Sequence, residues 1–261
     1  MRVLAVLCGV LAFSGCSAVS QADAPLPQPE KLRVELLETR PHDPGAFTQG
    51  LELADGALYE GTGQEGSSSL RRVDPVTGVV QQRADLPADH FGEGITVIGD
   101  KIWQLTWQQG LALRWDRQTL TRTGQANYEG EGWGLCHDGN RLVMSNGSDQ
   151  LTFRDPGSFA VTGTVTVRHA GAAVSKLNEL ECVNGVVWAN VWQTDEILRI
   201  DPASGAVTGT VDASGLLRPE QQERADVLNG IAAIPGTDEF LVTGKLWPAL
   251  FRVKFVPVRQ D

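Results

Sequence analysis

One motif recurs five times along this chain, and no other feature constrains its fold as tightly. Each copy opens with a polar or aromatic residue, usually followed by Gly and an apolar residue. A turn with Gly, Asp or Asn comes next, and then an apolar pair. The copies read QGLELADGALYEGTG (49–63), EGITVIGDKIWQLTW (93–107), WGLCHDGNRLVMSNG (133–147), NELECVNGVVWANVW (178–192) and NGIAAIPGTDEFLVTGK (229–245). Each leads into an alternating apolar segment with Arg or Lys, such as SLRRVD or EILRID, and in four of the five a turn like DPVTGVV follows. The opening positions are spaced by 44, 40, 45 and 51 residues. A repeat of this length holds about four short strands and cannot bury its apolar faces alone; stacking neighbours around an axis buries them all. A sandwich or a barrel does not account for five near-equal repeats with one internal order. The expected fold is therefore all-β, a five-bladed β-propeller over residues 31–261.

A propeller must also close its ring. KLRVELLET (31–39) precedes the first repeat and LFRVKFVPV (250–258) ends the last. The expected closure sets the N-terminal strand on the outside of the C-terminal blade. PEQQERADVL (219–228) is the one candidate for a short helix.

Acidic residues outnumber basic ones by 32 to 22, giving a net charge of −10. That balance argues against nucleic acid as a partner, since such proteins present a basic face. The start of the chain reads as an export signal over residues 1–15: Met1-Arg2, then an apolar run from Val3 to Phe13 too short to span a membrane comfortably. Ser14-Gly15-Cys16 resembles a bacterial lipobox, with Phe13 where Leu is usual. In that reading Cys16 is lipidated and becomes the first mature residue, giving a periplasmic or envelope-anchored protein. Ordinary cleavage after Ala22-Asp23-Ala24 is the alternative. Residues 16–30 are rich in Pro and Ala and read as a flexible tether. Cys8 leaves with the signal. Cys136 and Cys182 follow the openings of adjacent repeats by three and four residues and are expected close together. A disulfide and two separate buried thiols both fit.

Equivalent repeat positions should form rings around the axis. The opening column holds Gln49, Glu93, Trp133, Asn178 and Asn229. Fourteen places on stand Gly63, Trp107, Gly147, Trp192 and, after a two-residue insertion, Lys245. Structural columns repeat one residue type, whereas these vary. Different groups converging at equivalent inner positions is what a binding pocket needs. A channel filled with polar side chains and water is the plainer alternative. One carboxylate among Trp and amide neighbours suits proton transfer on a small polar substrate. Burial should raise the pKa of Glu93 and a nearby Lys should oppose that. His42, His90, His137 and His169 are scattered, and no HExxH, CxxC, P-loop, dinucleotide or GxSxG pattern occurs. No catalytic metal or nucleotide cofactor is expected; a structural cation in the channel stays open.

At this point the residues match a family. FTQGL (47–51), YEGTG (59–63), FGEGI (91–95), LTW (105–107), EGWGL (131–135), LNELE (177–181), ANVW (189–192), LNGIA (228–232) and VTGKLWP (242–248) occur in order. The chain resembles the plant and bacterial glutaminyl-peptide cyclotransferases over about residues 35–256. The resemblance implies a five-bladed propeller that turns N-terminal glutaminyl residues of peptides or proteins into pyroglutamate and releases ammonia. It implies Glu93 as acid and base, with Phe47, Gln49 and Phe91 lining the pocket. Trp107, Trp133 and Trp192 would be its aromatic walls, and Asn178 and Lys245 its polar contacts. One departure is MSNGSD, where Asn146 stands in place of an acidic residue in many plant members.

Ring closure within one residue is intramolecular, so holding the substrate folded back on itself is the main task. Glu93 would take a proton from the attacking amine and pass one to ammonia, while Lys245, Asn178 and Gln49 are candidate oxyanion donors. A monomer is expected, with a possible lipid anchor as its membrane contact. Two rivals remain at this stage. One is a metal-dependent propeller hydrolase drawing on Glu179 and Glu181; the other is a non-catalytic peptide-binding propeller.

Overall fold

The structure, a computed structural model, describes residues 28–259. The signal, the lipobox with Cys16 and all of the tether but its last residues lie outside the described residues. Strand structure begins at Glu30, so the tether's final residue is part of the folded body.

The described chain is all-β apart from a 3-10 turn at Pro219–Gln221, which is all that forms of the expected helix. Three sheets have four antiparallel strands each. The first comprises Thr48–Ala54, Ala57–Thr62, Ser69–Val73 and Val80–Asp85. The second comprises Gly92–Ile98, Lys101–Thr106, Leu111–Asp116 and Arg122–Asn127. The third comprises Leu135–His137, Leu142–Met144, Gln150–Arg154 and Val161–Thr166. A larger, eight-stranded sheet holds two further sets. One is Leu177–Val183, Val186–Val191, Glu196–Ile200 and Val207–Asp212; the other is Leu228–Ala233, Glu239–Gly244, Ala249–Pro257 and the N-terminal Glu30–Pro41. The N-terminal strand runs antiparallel to Ala249–Pro257, as the closure argument requires. Its first residues also pair in parallel with Val207–Asp212, and this joins the two sets.

The first strands of the five sets contact one another in a closed circle, the fifth returning to the first. The apolar core is divided accordingly into five clusters, one between each neighbouring pair of sets. Ile95, Ile102 and Leu113 of the second set pack with Tyr59 and Leu70 of the first. Leu51 and Leu58 of the first pack with Leu241 and Leu250 of the fifth. Fourth strands are mostly exposed, as in Val80–Asp85 and Arg122–Asn127, which explains their polar sequences. The turns leading into them are built by Asp74, Asp116, Asp155 and Asp201, each of whose side chains accepts backbone N–H groups two or three residues on.

The glycine after each opening residue has a steric cause. A Cβ on Gly50 would meet the Ile95 nitrogen at 2.5 Å, and one on Gly94 the Trp133 carbonyl oxygen at 2.6 Å. Neighbouring first strands approach too closely for a side chain there. The fourth set breaks the rule with Glu179. Its carboxyl crosses to the neighbouring strands and accepts the N–H groups of Leu51 at 3.3 Å and Ile231 at 2.9 Å.

Cys136 and Cys182 form a disulfide between the third and fourth sets. Asn146 accepts from the backbone N–H and hydroxyl of Ser148, capping an exposed turn.

Candidate active site

Pairing within the first strands is broken at the residues that matter. The ladder skips between Thr48 and Gly50, Gly92 and Ile95, Leu177 and Leu180, and Leu228 and Ile231. Gln49, Glu93, Asn178 and Asn229 lie inside these irregularities. Such bulges re-aim side chains out of the regular alternation. Trp133 precedes its strand and is held by backbone bonds to Ser145. Strand-end irregularities therefore direct the opening column toward one end of the circle.

There they meet a cavity of about 450 Å³. All nine residues singled out from the sequence line it: Phe47, Gln49, Phe91, Glu93, Trp107, Trp133, Asn178, Trp192 and Lys245. Gln193, Asp226 and Val227 complete the lining and were not foreseen. Val227 occupies the place of Phe47 and Phe91, two before the opening column, and Gln193 follows Trp192 by one, so both lie just outside the two columns that vary.

Glu93 is 4% exposed, and its Oε1 accepts a 3.1 Å hydrogen bond from the Gln49 amide. Asn229 in turn donates to Gln49 Oε1 at 3.2 Å and to the Thr48 carbonyl at 3.0 Å. Burial pushes the Glu93 carboxyl well above the usual carboxylate range; the Lys245 charge opposes this and the Glu131 charge adds to it. Lys245 is 5% exposed, ruling out a solvated rim lysine. Its pKa is lowered by burial, against the opposing pull of Glu93 and Asp226. Its Nζ lies 4.8 Å from the centre of the Phe47 ring. Glu93 and Lys245 feel each other through space but are not among the ion pairs of the described residues, so both remain open to the cavity between them. Asn178 is 2% exposed, and its Oδ1 has no hydrogen-bond partner.

The aromatic walls are interlocked. Phe47 meets Phe91 edge-on at 6.0 Å, Phe91 meets Trp107 at 5.6 Å, and Trp133 meets Trp192 at 5.5 Å. Glu131 fixes two of them at once, its Oε2 accepting the indole N–H of Trp107 and of Trp133, each at 2.9 Å. The only hint of this in the sequence was the block EGWGL. Gly63 and Gly147 prove to be room for these walls: a Cβ on either would strike the Phe91 or the Trp133 ring.

Of the carboxylates that a metal-dependent rival would use, Glu179 is committed to two backbone N–H groups, and both Glu179 and Glu181 are buried. Among the described residues no group of three His, Cys, Asp or Glu side chains could hold a metal ion.

Comparison with known proteins agrees with this geometry. The family model described as glutamine cyclotransferase matches residues 7–255. A glutaminyl-peptide cyclotransferase of Arabidopsis thaliana is 41% identical over 226 residues, spanning 85% of this chain and 71% of that protein. The crystal structure of Myxococcus xanthus glutaminyl cyclase superposes with a TM-score of 0.81 at 39% identity, over 89% of this chain and 100% of that one. The matched range spans all five strand sets, and the chain belongs to the glutamine cyclotransferase family.

Proposed function

We propose that this protein is a glutaminyl-peptide cyclotransferase built on a five-bladed β-propeller, its five strand sets being the blades. The observation that carries the reading is that a buried carboxyl, Glu93, and a buried ammonium, Lys245, line one aromatic-walled cavity with room for a glutaminyl residue.

In this reading the α-amine of an N-terminal glutaminyl residue attacks its own side-chain amide carbon. A C–N bond closes the five-membered ring, and the original C–N bond breaks to release ammonia. Glu93 takes the proton from the attacking nitrogen and delivers one to the leaving nitrogen. Burial raises its pKa above the usual carboxylate range, which favours a carboxyl that both accepts and donates a proton. Gln49 is committed to Glu93 and Asn229, so it positions the carboxyl. Lys245 is left as the donor facing the developing oxyanion. The unpaired Oδ1 of Asn178 suits the substrate's N–H groups. The Trp and Phe rings pack the glutaminyl methylenes and hold the side chain folded back.

The reaction is read as metal-independent, since the site offers a proton carrier and a cation but no converging ligand set among the described residues. The disulfide suits an oxidising compartment, in line with export and with Cys16 as a lipid acceptor on the envelope. A coupled ammonia-release assay on a Gln-peptide, with and without chelator, tests the function. Release unaffected by chelator is expected; no release, or chelator-sensitive release, would count against it.

A further inference from the structure

His42 is 7% exposed and lies outside the cavity, in the segment leading into the first strand set. Both ring nitrogens are engaged. Nδ1 is 2.7 Å from the Trp247 carbonyl oxygen, and Nε2 is 3.0 Å from Glu60 Oε1. A carbonyl cannot donate, so Nδ1 carries a proton. Glu60 Oε1 also accepts the Thr48 hydroxyl at 2.8 Å, and Arg71 lies 3.8 Å from Oε2. A carboxyl so placed is an acceptor, and Nε2 must carry a proton too. The remaining charge in the cluster is Asp43, paired with Arg71 at 2.7 Å. The fifth set presents only the Thr243 hydroxyl and the Trp247 carbonyl to the ring. Two cations and two anions thus balance in a mostly buried group.

This group sits on the seam where the circle of strand sets closes. His42 N–H donates to the Pro248 carbonyl at 3.2 Å, and Leu246 N–H to the Ala46 carbonyl at 2.7 Å. Thr48, bonded to Glu60, immediately precedes Gln49, which holds Glu93. Trp247 is two residues beyond Lys245.

We propose that His42 is a positioning residue: a doubly protonated imidazolium, clamped between Glu60 and the Trp247 carbonyl, that fixes the Lys245 turn against the Gln49 strand across the seam. This rests on the reading of the cavity as a cyclotransferase site, in which Lys245 and Glu93 must face one substrate.

Two variants separate the ring nitrogens. An Asn amide reaches roughly where Nδ1 sits and a Gln amide roughly where Nε2 sits. H42N therefore keeps the link to Trp247 and loses Glu60; H42Q does the reverse. Each leaves one buried partner unpaired, so both should melt earlier by similar amounts. Either loss opens the clamp, so both variants are expected to lose kcat on a Gln-peptide on the order of 100-fold, and the acidic limb of kcat/KM should move to higher pH as Lys245 is freed from its place near Glu93. Near-wild-type kcat with an unmoved limb in either folded variant of an active parent would overturn the role of His42. No ammonia release by the wild-type protein would refute the reading of the whole site, and this role with it. Should neither variant fold, ¹⁵N–¹H spectra of the wild-type imidazoles decide. Two ring N–H signals for His42 near neutral pH are expected, and a single neutral tautomer would overturn the proposal.

Discussion

Replacing Glu93 by Gln removes proton exchange and almost nothing else. The carboxyl is buried and its pKa is raised by that burial, and an amide of the same shape enters the same space. The Gln49 bond survives, because the new side chain's oxygen can accept the Gln49 N–H as Glu93 Oε1 does. Asn229, Asn178 and the aromatic walls are untouched. Substrate positioning, the cation at Lys245 and the cavity itself should persist, and the variant should still bind a Gln-peptide. Lost is the group that moves a proton between the two nitrogens. Such catalysis is worth about 100- to 10,000-fold, or about 3–5 kcal/mol of barrier. The melting temperature should hold or rise, because an amide is buried more cheaply than an ionisable carboxyl. The assay is kcat for ammonia release together with a thermal melt. Near-wild-type kcat in a stable protein would refute the assignment. A fall in kcat that merely tracks a fall in melting temperature would make Glu93 structural instead.

Lys245→Met should lower kcat and raise KM, and should move the acidic limb of the kcat/KM profile to higher pH, because the charge that opposes the raised Glu93 pKa is gone. Glu131→Gln should move that limb the other way, by removing a negative charge that helps hold the Glu93 proton; pH profiles of the two variants check the signs. Replacing Cys136 and Cys182 together by Ser opens a closure of 46 residues and should cost up to about 4 kcal/mol of stability, read in denaturant, with kcat little changed. Glu52, pushed up to about 7 by burial, binds its proton in the fold above the pH of roughly 4.3 where the unfolded chain releases it. Its contribution is present at low pH and lost as pH rises through about 7, so the melting temperature of Glu52→Gln relative to wild type should be higher at pH 8 than at pH 4.

The sequence disclosed the site because repeats convert position into geometry. Equivalent residues of equivalent strands must lie at one level of the circle, so the Gln, Glu, Trp and two Asn of the opening column had to converge. Gly63 and Gly147 are blank positions in the second column because neighbouring rings fill their space. The same logic passed over Glu131, which lies just before its repeat yet fixes two Trp rings. His42 looked like a stray histidine in a turn, since its partners are 18 and 205 residues away. Asp226 and Gln193 lie three places before and one place after the two columns, outside the positions whose variety pointed to a pocket. Alignment finds what the repeat places; it is blind to what crosses between repeats.

That division has a chemical consequence. Glu93 stands on the second strand set, Lys245 on the fifth, and Glu131 in the connection to the third. No one set contains enough to shift the carboxyl's pKa to a useful place. Burial raises it, Lys245 lowers it and Glu131 raises it again. Charge interactions fall with distance and strengthen in a site shielded from water. The proton affinity of Glu93 therefore depends on how the sets are held relative to one another more than on the strand that carries it. Several cross-links hold the sets together: the disulfide between the third and fourth, Glu179 bridging the first and fifth, and the His42 cluster at the closing seam. A shift between neighbouring first strands would move Lys245 and Glu131 relative to Glu93 and so change the acidity of that carboxyl.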